Sequence, residues 1–169
     1  NAAADDVGGS LNAATGRVDT EYTTPLHPDG LELITRMVGE MLGAPLLSGL
    51  EKEREIVVEE LQGDLDDKGR DLDLDDLSKL SRFGAQGMGL RIGGTPRGVR
   101  RLSLAQVQAH LKRHHVGRRL VVSAAGDFDP ERLFRASEEA FGGLPAGRGR
   151  PSWRVPPMRR GAWATFHPR

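Results

Sequence analysis

Two glutamates, Glu53 and Glu60, are the residues whose type and spacing best suit chemistry. They lie seven residues apart in a run that also contains Ile56 and Val57. Because an α-helix has about 3.6 residues per turn, both carboxylates project from nearly the same face. A carboxylate on a partly apolar face is costly unless it is paired or metal-bound, so Glu60 is a candidate metal ligand. Glu53 is a candidate for a residue that orients this ligand without contacting the metal. The alternative is a solvated helix side, which this segment alone favours.

Length and composition exclude several functional classes. The 169 residues amount to about one domain, and 24 basic side chains balance 24 acidic ones. This balance argues against a surface dedicated to nucleic acid or to an anionic membrane. No stretch approaches the roughly 20 apolar residues of a membrane span. The absence of cysteine excludes disulfides and thiolate zinc sites, and leaves the cellular compartment open.

The pattern along the chain predicts strands and helices in alternation. Strands are expected at residues 9 to 15 and 18 to 25, joined by Gly16-Arg17, and again at residues 119 to 125 and 162 to 167. Capping residues and apolar spacing predict five helices: one that Asp29 caps and Gly43 ends, one from about 47 to 65, one from 71 to 83, one that Ser103 caps, and one that follows Pro130 and ends at Gly142. Residues 84 to 98, rich in glycine, are expected to form a loop.

These elements favour an α+β fold. The strands from residues 9 to 25 and 119 to 125 are expected to share one antiparallel sheet, which helices back as a second layer. The whole chain, residues 1 to 169, is expected to be a single partial domain, truncated at both ends.

An acidic stretch resembles a calcium loop without matching it. Asp64 and Asp66 supply oxygens at the first and third positions, and Gly69 takes the sixth. Lys68 occupies a ligand position, and Asp75 stands where the longer glutamate is needed. A solvated acidic loop is the better interpretation.

A second possible metal site lies at His110 and His114, which are one helical turn apart, with His115 adjacent. Lys112 and Arg113 between them would repel a cation. Exposed or capping histidines are therefore the expected outcome.

Sequence blocks in order along the chain resemble the zinc peptidases of the pitrilysin/insulinase family. The glutamate helix follows a strand pair, as it does in those enzymes. The resembling blocks are Gly8-Gly9-Ser10-Leu11-Asn12-Ala13-Ala14-Thr15 with Asp19-Thr20-Glu21-Tyr22-Thr23, the glutamate helix, Leu90-Arg91-Ile92-Gly93-Gly94-Thr95, and Val121-Val122-Ser123-Ala124-Ala125-Gly126-Asp127-Phe128-Asp129 leading to Phe141-Gly142-Gly143-Leu144-Pro145. The resemblance implies an α+β peptidase half of this type.

The resemblance also implies a site. Zinc is the implied cofactor, Glu60 its third protein ligand, and Glu53 the residue that orients the site from outside the ligand set. Asn12 and Ala13 would hold the backbone of an extended peptide substrate by strand addition. A homologous second domain or subunit is the implied partner, in a homo- or heterodimer, and no nucleic acid or membrane is expected.

One departure from the family is decisive for activity. The family holds zinc with an H-x-x-E-H motif, whose glutamate is the general base, and this sequence contains none. By the family's order the motif would precede Asn1. Either the chain is a fragment of a zinc metalloendopeptidase, inactive on its own, or it is a non-catalytic homologous subunit that pairs with an active peptidase and helps to enclose substrate. The retention of both Glu53 and Glu60 favours the enzyme.

Overall fold

The computed structural model describes residues 9–149, which divide into two compact units. Unit 1 contains residues 9–47 and 104–149, and unit 2 contains residues 48–103. Each unit is more compact within itself than the chain is across the division. That residues 1–169 form a single partial domain stays a prediction.

Helices dominate the described part of the chain. Its α-helices are α1 (Leu31–Gly43), α2 (Leu50–Gly63), α3 (Leu74–Phe83), α4 (Pro96–Arg100), α5 (Leu104–His114) and α6 (Pro130–Phe141). Short 3-10 turns occupy Pro28–Gly30, Gly87–Gly89 and Gly117–Arg119. Together with the hairpin described next, these helices confirm the predicted α+β class.

A β-hairpin opens unit 1. Strand β1 (Asn12–Thr15) pairs antiparallel with β2 (Thr20–Thr23), and Asn12 lies opposite Thr23. The Gly16 N–H donates to the Asp19 carbonyl at 2.8 Å and closes the turn. The predicted hairpin is confirmed, with shorter strands than expected.

Unit 1 is held together by packing between α1 and α6. Leu31 and Ile34 of α1 and Ala136 of α6 are buried. A Cβ atom on Gly39 of α1 would lie 2.7 Å from the Ala140 carbonyl oxygen, so the two helix backbones approach closely at this glycine.

Unit 2 is built around α2. Val58 and Leu61, three residues apart on one face of α2, are buried with Val99 of α4. Thr95 begins α4 by accepting the Gly98 N–H at 3.1 Å, and Pro96 suits the first turn. Helix α4 was expected to be part of a loop, because five residues are too few for a periodic pattern.

The predicted strand at residues 119 to 125 is wrong. The segment after Arg119 has no strand pairing in the described chain, where the only sheet is the hairpin. Val121 is 73% exposed. Valine favours strands only when another strand supplies the hydrogen bonds, and no segment among residues 9–149 does so. The shared sheet expected for these residues and the hairpin is therefore absent from that part of the chain.

Two further expectations concern helix starts and chain ends. Helix α1 begins after Gly30, with no side-chain cap, because Pro28–Gly30 forms a 3-10 turn and displaces Asp29 from the expected position. The predicted strand at residues 162 to 167 lies outside the described residues.

Candidate functional site

Helix α2 orients its glutamates by burying the opposite side. Val58 and Leu61 are buried, whereas Glu53, Glu59 and Glu60 are exposed. Acidic residues in the first turn, Glu53 among them, interact favourably with the positive end of the helix dipole. The amphipathic pattern thus places the candidate ligand Glu60 at the surface of unit 2.

Glu60 lines an acidic cavity of about 280 Å³. The walls come from α2, from the start of α3 and from the segment that precedes α4. The lining residues are Val57, Glu60, Leu61, Asp64, Asp73, Asp75, Asp76, Arg91, Ile92 and Gly93.

The aspartates of this cavity already have partners. Arg91 forms ion pairs with Asp64 and Asp76, both at 3.1 Å. Lys79 contacts Asp75 at 2.5 Å, and Asp73 caps α3 by accepting the Asp76 N–H at 2.8 Å.

Glu60 differs from these aspartates. Its carboxylate makes no hydrogen bond or ion pair with any residue in the described part of the chain. Among the carboxylates that line the cavity, it is the one available to an incoming cation.

Glu53 does not line the cavity. Its N–H donates to the Gly49 carbonyl at 3.0 Å, as part of the first helical turn. The neighbouring Arg54 links α2 to the end of α4 and to the segment that follows, because its Nη1 donates to the Arg100 carbonyl at 3.2 Å and to the Leu102 carbonyl at 2.7 Å. That Glu53 supports a metal bound at Glu60 stays a prediction.

Asn12 and Ala13 lie in the exposed strand β1 of unit 1. The Asn12 Oδ1 accepts the Ala13 N–H at 3.0 Å. A peptide that added to this strand through that N–H would have to replace the side-chain oxygen. Both residues belong to unit 1, and their contact with a peptide substrate stays a prediction.

The histidines of α5 are arranged for stacking. The rings of His110 and His114 lie 4.4 Å apart at 26°. Arg119 Nη1 is 2.6 Å from His114 Nδ1. Because a guanidinium can only donate, His114 Nδ1 accepts this hydrogen bond. Burial, then the charge of His110 and Arg119, lowers the pKa of His114. A neutral, stacked His114 fits these contacts better than a metal ligand does.

Residues 9–149 contain no group of three or more His, Cys, Asp or Glu side chains arranged to hold a metal ion. The exposed Glu60 carboxylate fits zinc as one oxygen ligand, since zinc accepts Asp and Glu oxygens. The described chain therefore fits part of a zinc site.

Sequence reasoning missed Arg91 as the central cation of the cavity. Its only signal was a place in one of the resembling blocks, since its partners are distant in sequence.

In the described chain, no helix is both long and apolar enough to cross a membrane.

Comparison with known proteins gives several similar sequences, although no family model matches. The chain is 29% identical over 148 residues to the mitochondrial-processing peptidase subunit beta of Blastocladiella emersonii, covering 86% of the chain and 31% of that protein. It is 32% identical over 142 residues to an uncharacterized zinc protease of Mycobacterium tuberculosis, covering 83% of the chain and 32% of the relative. It is also 28% identical to cytochrome b-c1 complex subunit 1 of Bos taurus, covering 83% of the chain and 29% of that subunit.

A solved structure, a protease from Helicobacter pylori, has the same fold. The TM-score is 0.74 at 17% identity, over 92% of this chain and 38% of the other. The chain thus spans about a third of the length of the curated relatives it matches.

Proposed function

From relatives that indicate the pitrilysin/insulinase-like family of zinc peptidases, we propose that this chain is part of a zinc-dependent metalloendopeptidase. Its substrate class is the extended peptide. The first two zinc ligands and the general base belong to an H-x-x-E-H motif in residues that precede Asn1. A homologous domain or subunit completes the enzyme, in keeping with relatives that are named as subunits.

The free carboxylate of Glu60 is the observation that supports this function most. A buried or paired carboxylate would have to break existing contacts before it could bind a metal ion. Glu60 is exposed, lines a cavity and has no partner in the described chain, whereas the neighbouring aspartates are already paired.

The residues of the chain have separate roles in this proposal. Glu60 holds the zinc as the third protein ligand, and Glu53 orients the site from the same helix. Asn12 and Ala13 hold the peptide backbone along β1 by strand addition. Zinc, when bound, lowers the pKa of a bound water toward about 7 and polarises the peptide carbonyl.

The test changes one glutamate at a time in the protein expressed with the residues that precede Asn1. Glu60→Gln is expected to abolish zinc occupancy, because it removes a ligand while keeping size and helix propensity. Glu59→Gln is the matched control, since that side chain points about 100° away on the same helix. Elemental analysis and peptidase assays measure the result. Full zinc content and activity in Glu60→Gln would refute the metallopeptidase assignment.

Glu53→Gln tests the supporting role separately. Loss of a residue that orients a metal ligand without contacting the metal typically reduces metal affinity or activity by about 10- to 100-fold. A competition titration with a zinc chelator measures the affinity. A zinc affinity equal to that of the Glu59→Gln protein would show that Glu53 does not support the site, and would leave the role proposed for Glu60 unaffected.

A second candidate function is a non-catalytic homologous subunit that helps to enclose substrate. It is favoured by the absence of H-x-x-E-H from this sequence and by a relative whose name describes a cytochrome b-c1 complex subunit rather than a protease. The residues encoded before Asn1 distinguish the two, because the enzyme requires the motif and the subunit does not.

A further inference from the structure

The turn that follows α5 holds a segment near the end of the described chain, residues 145–148. The Gly117 N–H donates to the Pro145 carbonyl at 2.9 Å, and the Arg118 N–H donates to the Ala146 carbonyl at 3.2 Å. The 145–148 segment is thus attached to this turn, within unit 1, by two backbone hydrogen bonds.

Glycine at position 147 lets the segment lie on a buried valine. Val116 is only 3% exposed, and a Cβ atom on Gly147 would overlap its side chain. Gly147 also has a φ of +62°, in the left-handed region that favours glycine. The segment therefore covers Val116, and its release would bring an apolar side chain into water.

Arg119 connects the 145–148 segment to His114. Its Nε donates to the Arg148 carbonyl at 3.1 Å, and its Nη1 donates to His114 Nδ1 at 2.6 Å. A planar guanidinium presents its N–H groups in fixed directions, so a bond to one acceptor orients the donor for the other. The bond from Arg119 to Arg148 therefore depends on whether His114 Nδ1 can accept.

The groups that act most strongly on the charge of His114 are basic. His110 stacks on its ring, Arg113 and His115 adjoin it in sequence, and Arg119 contacts it from the following turn. Burial is the first cause that lowers the pKa of His114 from 6.5, and the charges of these groups add to it. A protonated ring would direct an N–H at a guanidinium that can only donate, and the two positive charges would repel each other.

We propose that protonation of His114 favours release of the 145–148 segment from the turn, which makes this contact a pH-sensitive switch within unit 1. Neutral His114 accepts from Arg119 and keeps the segment in place. As pH falls, Arg119 loses this acceptor and with it the orientation toward Arg148. Residues 145–148 contain no acidic side chain that could hold Arg119 instead. The switch does not depend on the proposed peptidase function.

Amide hydrogen exchange at Gly117 and Arg118 measures the release, because these N–H groups lose their carbonyl partners when the segment departs. Each rate is expressed as a protection factor relative to the intrinsic rate at the same pH. The reference is Ala44, whose N–H donates to the Glu40 carbonyl at 2.8 Å and reports general stability. Between about pH 7.5 and pH 5, protection of the two amides should fall by about threefold or more relative to Ala44.

Two histidine variants identify the group responsible. His114→Gln keeps an acceptor for Arg119 and removes the titration, so protection relative to Ala44 should stay constant with pH. His110→Gln is the matched control on the same helix. It leaves the contact with Arg119 in place and removes a charge that lowers the pKa of His114, so protection should still fall and should level off at a higher pH. An equal decrease in His114→Gln and in the unchanged chain would overturn the proposal.

The unchanged chain provides a test that requires no variant to fold. Nuclear magnetic resonance follows protonation of the His114 ring while exchange is measured at the same pH values. Because the contribution of His114 is lost as pH falls through its folded pKa, the decrease in protection should level off where the ring has become protonated. A decrease that continues well below that pH, or no decrease, would contradict the switch.

Discussion

Carboxylates that share one cavity differ in what they contact, and the role proposed for Glu60 rests on this difference. Asp64 and Asp76 are paired with Arg91, and Asp73 caps α3. Glu60 has no partner in the described chain. Since a paired carboxylate must give up a contact to bind a metal ion, the unpaired one is the better ligand.

At the same scale, His114 predicts how stability depends on pH. Its pKa is lowered from 6.5, first by burial and then by the positive charge of His110 and Arg119. The folded state therefore binds fewer protons than the unfolded state, so this contribution is complete above about pH 6.5 and is lost as pH falls through the lower folded pKa.

The variant His114→Gln removes this titration while keeping an acceptor for Arg119. We expect the free energy of unfolding to fall less for the variant than for the unchanged chain between about pH 7.5 and pH 5.5. Urea unfolding at both values measures it, and the remaining histidines serve as an internal control. Equal decreases in the two proteins would contradict the lowered pKa.

At the scale of elements, the α1–α6 pair depends on a glycine and an ion pair. Gly39 allows the close backbone approach to Ala140. Arg132 of α6 donates from Nε and Nη2 to both carboxylate oxygens of Glu32 in α1, each at 2.7 Å. This two-point contact lowers the pKa of Glu32 and fixes the first turns of the two helices against each other.

Gly39→Ala is expected to destabilise the chain even though alanine is the better helix former by about 1 kcal/mol. The new Cβ would lie 2.7 Å from the Ala140 carbonyl oxygen, and such overpacking costs about 1–3 kcal/mol. Gly63→Ala in α2 is the matched control, because no atom of another segment lies within 4 Å of its Cβ position. Chemical denaturation measures the free energy of unfolding of both variants. A Gly39→Ala chain as stable as the control would show that α1 and α6 accommodate the added methyl group without loss of stability.

At the scale of the molecule, the chain spans about a third of the length of its curated relatives. We expect the 169-residue chain alone neither to bind zinc tightly nor to hydrolyse peptides, because a catalytic zinc needs three protein ligands and we propose only one, Glu60, in this chain. Elemental analysis after dialysis against a chelator, with a peptide cleavage assay, measures this. Stoichiometric zinc that survives dialysis would contradict it.

The sequence by itself determined the elements whose signals are local. Apolar spacing and end residues predicted helices α1, α2 and α6, and Gly16 predicted the hairpin, because these depend on residues within a few positions of one another. The sequence blocks also led to the family that the relatives indicate.

Only the tertiary structure decided which charged side chains share a cavity and which of them pair. Asp64 and Arg91 are 27 residues apart, so no spacing rule could show that they pair or that Glu60 is left free. The valine-rich segment at residues 121–125 likewise looked like a strand, but strand formation needs a neighbour that local sequence does not reveal. Partner choice depends on distant residues brought together by packing, and this is why the fold class was predictable and the charge pairing was not.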